Sequence, residues 1–480
     1  MLIFDVRHVF FLLCTINVLV YVTRGIIPGA PVQFQAFIQD SLRVDPANVS
    51  FYIGVLTTSF VAAYCTFTSV FGYLSMAHRP FRLAGLCLFI WIGSMVLSGV
   101  AQSLDNFYIL LVGRMLGGIG ESAFQAVVPS FIDEFAPLEK RTLWMGLFGC
   151  SLSAGTALGF AYGSFLAQTI GWEFAFYIAA IIMTPLAYLV FACIPDVYNM
   201  PMAQMRDTAQ SVGGLSLHPE PIKTSLLADT WGIVKSPMFI TATLGWSACS
   251  FSISGMSTFG PAILIGLSVL PERICSTVFG AVVVVAGLIG APFGGYLVDY
   301  QCRGRENDSA YRQYIVNRQM FGMSMCGVVL FFTSNLVINT SWALLLIWFV
   351  ALGLLFATTS PVTVAVLQSV TKARRGFAMG LSTLLLHIFG DLPAPIVLGA
   401  LKDMWAPHCG SSVINGRVTL NPECQLLDHD GLKWVLIFAY AWLGLAVVFW
   451  FASFALARRQ LQHMSKLYID FERSSTSIVL

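Results

Sequence analysis

Polar positions are sparse along this chain and come in short clusters, separated by apolar stretches long enough to cross a bilayer. A hydrocarbon core of about 30 Å needs about 20 apolar residues in helical form, so each stretch predicts one spanning helix. The stretches lie near residues 8–28, 51–76, 83–101, 107–129, 143–168, 173–195, 236–267, 274–298, 315–337, 342–369, 376–402 and 433–457. The pattern therefore predicts an all-α membrane protein with twelve spans, numbered here in chain order. The polar run "TKARR" (371–375) separates the tenth span from the eleventh.

Composition agrees with the pattern. Of 480 residues, 57% are hydrophobic and only 10% charged, against about a quarter charged in a soluble domain. Such a chain cannot build a water-facing surface of its own. A net charge of +2 without a basic cluster gives nucleic acid no purchase. No metal site or cofactor is expected, and H-E-x-x-H, G-x-S-x-G and phosphate-loop motifs are absent, so the sequence does not point to an enzyme.

Lys and Arg in the loops set the orientation. With a cytosolic amino terminus, the inner loops hold Arg79, Arg82, Lys140, Arg141, Arg303, Arg305, Lys372, Arg374 and Arg375, and the outer loops only Arg43, Arg273 and Arg417. Both termini are expected inside. The first span lacks an A-x-A-like cleavage site, and removing it would invert this bias. Nine of eleven cysteines fall in or beside spans, where a thiol packs as a small apolar side chain. Cys409 and Cys424 share the outer loop 403–432, where an oxidising compartment would favour a disulfide, with Cys275 as a rival partner. Asn48 in "NVS" is an outer-loop glycosylation candidate.

The longest inner loop divides the chain into residues 1–195, a six-span half; 196–235, a central cytosolic loop; 236–458, a second six-span half; and 459–480, a cytosolic tail. The halves echo each other. "KRTLWMGL" (140–147) enters span five and "RRGFAMGL" (374–381) enters span eleven, while "FGYLSM" (71–76) closes span two and "GGYLVD" (294–299) closes span eight. This points to a duplicated six-helix unit.

Glycines mark helix packing. Gly113 and Gly117, and the series Gly155, Gly159 and Gly163, give small faces on which neighbouring backbones can approach. "GIGESA" (118–123) fits a dinucleotide fingerprint, but no strand precedes it and it lies inside a span, so nucleotide binding is excluded. Charges inside spans are more informative, because each costs roughly 2.5–3.5 kcal/mol at a helix centre on insertion scales. Arg24, Arg114, Glu121, His387 and Asp391 all lie there. Arg114 and Glu121 are two helical turns apart and face the same way. They form either a structural ion pair or part of a recognition site. Arg24 either snorkels to the outer interface or joins that site. His387 and Asp391, four apart, form an internal hydrogen bond or line a cavity. Arginine suits forked recognition of phosphate or carboxylate, which favours an anionic or zwitterionic substrate.

Twelve spans in two related halves resemble the major facilitator superfamily, whose cavity lies between halves and opens alternately. Its signature after span two usually carries an acid, where this chain has Met76; the second copy keeps Asp299. Within that superfamily, "RMLGGIGESAFQAVVPSFIDEFAPLEKR" (114–141), "LLLHIFGDLPAPIVLGALKD" (384–403) and "VLVYVTRGIIPGAP" (18–31) resemble the spinster transporters. The first span of that family usually has an acid before the arginine, where Thr23 stands here. The resemblance implies export of lysophospholipids or phosphorylated sphingoid bases, proton-linked in some members, from an endolysosomal or plasma membrane, by a monomer. It implies Arg24, Arg114, His387 and Asp391 in substrate binding. Glu121, His387 and Asp391 would serve in proton coupling, and Asp299, Arg141 and Arg375 in gating. Two rival readings are a carrier of a small organic anion or sugar, and a non-transporting receptor or scaffold.

Overall fold

The apolar periodicity is realised as helix almost throughout. A computed structural model describes residues 5–137, 141–199, 226–305, 308–338, 340–370, 375–414 and 417–478, a few of them by backbone only. Most of the central loop, residues 371–374 of "TKARR", and Lys140 lie outside the described residues. Among those described, eleven helices are long and apolar enough to cross a membrane. Arg141–Thr169, 29 residues long, is the fifth span, and the fold is all-α with twelve spanning helices.

The expected spans are present, with informative departures at their ends. Span one runs Val6–Arg24 and stops at Gly25; a short turn, Ile26–Gly29, and a separate helix, Pro31–Leu42, follow. Pro28 and Pro31 lack the amide protons that a continuous helix would need. The stretch 31–42, expected as loop, is thus a helix whose Phe34 and Phe37 pack on Trp172, with ring centroids 4.6 and 5.1 Å apart. The loop before the last span is also structured. It holds a hairpin, Ser411–Ile414 paired antiparallel with Arg417–Leu420, and a short helix, Pro422–Leu427. A disulfide joins Cys409 to Cys424 across it, with Cα atoms 4.5 Å apart. The last helix, His429–Ile478, runs on through the stretch expected as a tail.

Contacts divide the chain into two compact units that cut across the sequence halves. The first comprises Met1–Ile222, Gly255–Val284 and Ala394–Val435; the second comprises Lys223–Ser254, Val285–Pro393 and Leu436–Leu480. In the first unit the glycine series of span five lies against span one. A Cβ on Gly155, Gly159 or Gly163 would run into the backbone of Val18, Val22 or Ile26, so these positions serve packing. Phe10 stacks on Trp144 at 4.2 Å lower down the same pair. In the second unit Trp450 donates to the Ala242 carbonyl at 3.2 Å, and Phe251 stacks on Trp442 at 4.3 Å. Buried Asn317 accepts from Ser453 at 2.6 Å.

Candidate functional site

Span four, Phe107–Phe135, carries Arg114 and Glu121 into the first unit, both buried. They are not partners. The Glu121 carboxylate is forked onto Arg24 of span one, which donates to Oε1 through one terminal nitrogen and to Oε2 through Nε, the latter at 3.2 Å. Arg24 therefore turns inward and does not snorkel to the outer interface, which corrects that reading. Thr23, where the family usually has an acid, donates to the Val20 carbonyl of its own helix at 2.8 Å. The carboxylate beside Arg24 is thus supplied by span four.

The Arg114 side chain makes no hydrogen bond among the described residues, and its Nε is buried without a partner. Its guanidinium lies over the Phe60 ring, 4.6 Å from the centroid. Arg24 lies 4.5 Å from the Tyr21 ring and 5.0 Å from both Phe60 and Tyr64. Two guanidinium groups and one carboxylate leave one positive charge uncompensated on an aromatic bed. Cation–π contact offsets part of the cost of desolvating it, by about 0.5–2 kcal/mol. The carboxylate end of the cluster is held by amides. Gln125, one turn beyond Glu121, donates to the Asn17 carbonyl oxygen at 2.8 Å. Asn17 donates in turn to Ser151 at 2.8 Å and to the Phe148 carbonyl at 3.2 Å, tying spans one, four and five. Asn17, Gln125 and the three rings escaped the sequence reading. The amides carried a usable signal, being polar inside spans, but the rings are lost among 38 Phe and 15 Tyr.

The second unit holds the other charged pair. Span eleven does not run as one α-helix; its turn His387–Asp391 is π-helical, with Arg375–Leu386 before it and Pro393–Trp405 after it. Such one-turn bulges recur at functional sites, because the extra residue re-aims side chains. His387 Nδ1 lies 2.8 Å from Asp391 Oδ2, and Ser250 donates to the other carboxylate oxygen. Both side chains of the pair are about one-fifth exposed.

Of the expected gating residues, Asp299 is exposed and paired with Arg312 at 3.2 Å. The side chains of Arg141 and Arg375 lie outside the described residues; each opens its helix. At the first signature copy, which lacks the acid, Arg79 pairs with Asp196 at 2.7 Å, and Asn199 accepts from the Phe81 amide at 2.8 Å. That loop is therefore braced by the segment after span six.

Comparison with known proteins gives a consistent answer. The pattern of the Major Facilitator Superfamily matches residues 13–390. Similar proteins include "Probable sphingolipid transporter spinster homolog 2" of Arabidopsis thaliana, 29% identical over 83% of this chain and 82% of that protein. "Sphingosine-1-phosphate transporter SPNS2" of Danio rerio is 23% identical over 81% of this chain and 74% of that protein. Among solved structures, a bacterial homologue of the human lysosomal transporter spinster, inward-facing and unoccupied, superposes with a TM-score of 0.70 at 16% identity. It covers 95% of this chain and 98% of that one, and at such identity the likeness bears on the fold alone. The chain is a multi-pass membrane protein and belongs to the Major Facilitator Superfamily, a family of transporters and not of enzymes, with spinster homologues among its relatives.

Proposed function

We propose that this transporter carries a single-chain lipid with an anionic head group, a phosphorylated sphingoid base or a lysophospholipid, by alternating access. The observation that carries the reading is the uncompensated positive charge of the Arg24, Arg114 and Glu121 cluster, in which Arg114 has no hydrogen-bond partner among the described residues. A forked guanidinium matches the geometry of a phosphate. The names of the sphingolipid-transporting relatives supply the acyl part. In this proposal Arg114 takes the head group directly, while Arg24 shares its charge between Glu121 and the substrate.

Proton linkage is part of the same proposal. When an anionic head group draws on Arg24, Glu121 loses part of its counter-charge, and it is the carboxylate placed to exchange a proton with substrate binding. The His387 and Asp391 pair offers a second place to hold a proton, since imidazole titrates nearest neutrality. Both termini facing the cytosol, and residence in an endolysosomal or plasma membrane, complete the proposal.

The test is uptake of labelled sphingosine phosphate and lysophospholipid into proteoliposomes under imposed pH gradients, beside a small organic anion and a sugar. Lipid uptake that follows the gradient is expected. Glu121→Gln should keep lipid binding and lose the dependence on the gradient, and His387→Ala should shift the pH optimum while flux persists. Uptake of the small solutes alone would overturn the lipid assignment. Wild-type flux indifferent to the gradient would replace proton coupling with facilitated transport.

A further inference from the structure

The first turn of span two, Val49–Ala77, is capped from far along the chain. Asn48 stands at the position that normally caps a helix with its own side chain, yet it makes no such bond. Asp403, at the end of span eleven, does so instead. Its Oδ1 accepts from the Ser50 amide at 2.9 Å, and its Oδ2 from the Phe51 amide at 2.7 Å. These are the second and third residues of the helix, the two amides that a local cap would satisfy. Lys402 completes the junction, donating from Nζ to Ser50 Oγ at 2.9 Å and to the Cys409 carbonyl at 3.1 Å. Ser50, Lys402 and Asp403 are all under one-tenth exposed.

The backbones meet closely at this junction. A Cβ on Gly54 would collide with the Pro395 carbonyl, and one on Gly399 with the Ser50 carbonyl. Two buried opposite charges are thereby bonded to groups of another helix in a region where water does not replace those bonds. All of these groups belong to the first compact unit. Yet span two lies in the amino-terminal half of the sequence and span eleven in the carboxy-terminal half.

We propose that Lys402 and Asp403 are gating residues of the transport cycle. They form a latch that holds the outer ends of spans two and eleven together and releases once in each turnover. The inference rests on membership of the transporter family, not on the identity of the substrate. A carrier that opens alternately to its two sides cannot keep a bond between its halves at the end that opens. Asp403 suits the task because its charge interacts with a pair of first-turn helix amides and their dipole, which water can serve when the ends part. The neighbouring Lys402 is tied to the disulfide loop through Cys409, so release would move that loop as well.

Two experiments test the latch. In the first, hydrogen exchange is compared in wild type, Asp403→Asn and Asp403→Glu. Peptides from the first turn of span two and the last turn of span eleven should exchange at least about tenfold faster in the Asn variant, matching loss of a charge-assisted bond. Peptides from the Arg114 to Glu121 region should be unchanged, and the Glu variant should restore slow exchange. Uniformly faster exchange would instead mark a general structural role and overturn the proposal. In the second, Phe51→Cys and Met404→Cys, whose exposed side chains flank the junction without taking part in it, are joined by a short bifunctional thiol reagent, with each single variant treated as a control. The joined protein should bind labelled sphingosine phosphate or lysophospholipid but cease to transport either, while the treated single variants continue. If neither lipid is a substrate, the readout becomes uptake of whichever solute the untreated protein carries. Transport by the joined protein at the untreated rate would show that these ends never part.

Discussion

Arg114 and Arg24 both lie against the Phe60 ring, yet their removal should have opposite consequences. Arg24 neutralises a fully buried carboxylate, so Arg24→Ala would leave Glu121 charged and unpaired. Breaking a buried pair in this way costs about 3–5 kcal/mol, and the variant should melt well below wild type in detergent. The Arg114 side chain makes no hydrogen bond among the described residues, so Arg114→Ala removes a desolvated cation and leaves Glu121 its bonds to Arg24. It should melt at or above the wild-type temperature while lipid uptake falls by at least about tenfold, as for loss of a charged hydrogen bond to substrate. Melting curves and uptake measured on the same two preparations separate these outcomes. The five charged residues could be read from sequence because charge inside a span is rare and costly. Their partners could not. The two-turn spacing of Arg114 and Glu121 suggested one pair, whereas the carboxylate reaches a neighbouring span, and spacing within a helix says nothing about that neighbour.

Helix-to-helix fit is governed by the smallest residues. Gly159 faces the Val22 carbonyl of span one at a distance that admits no side chain, whereas Gly149 on the same helix faces open space. Gly159→Leu should therefore cost about 1–3 kcal/mol or more by overpacking, with Gly149→Leu close to neutral. Thermal unfolding of the two variants side by side would expose any equivalence, which would refute the packing account. The glycine repeat was legible because a four-residue period is a property of the sequence itself. The π-helical turn at His387–Asp391 was not: the same five residues fit an α-helix equally well, and only packing of Gly390 on the Ser247 backbone gives the bulge a reason. The helix Pro31–Leu42 was missed for a related reason. Its opening Pro31 reads as a break in the chain, although proline at the first position of a helix loses nothing.

Across the whole molecule, the twelve spans were legible from hydropathy alone, since a bilayer leaves the backbone few alternatives. The cut between compact units was not, because it follows contacts such as Asp403 to Ser50 that join distant parts of the chain. The loop between spans eleven and twelve also gives this molecule a pH response of its own. The hydrogen bond to Asp428, together with its charge, raises the pKa of His408 above its ordinary value of 6.5. A raised value means that the tie contributes in full below about pH 6.5 and is lost as pH rises through the folded-state pKa. Hydrogen exchange in residues 406–428 should therefore be slower at pH 5.5 than at pH 8 once corrected for intrinsic rates, and His408→Ala should abolish the difference. A wild-type loop equally protected at both values would contradict this. The same capping contact also bears on how the molecule is made. Ser50 and Asp403 lie 353 residues apart, so the first turn of span two leaves the ribosome long before its cap exists. At about 5–20 residues per second, the wait is roughly 20–70 s. Throughout that interval the amides of Ser50 and Phe51 must be served by water or by the insertion machinery. The first turn of span two is then among the last parts of the nascent protein to settle, although it is among the first to be synthesised.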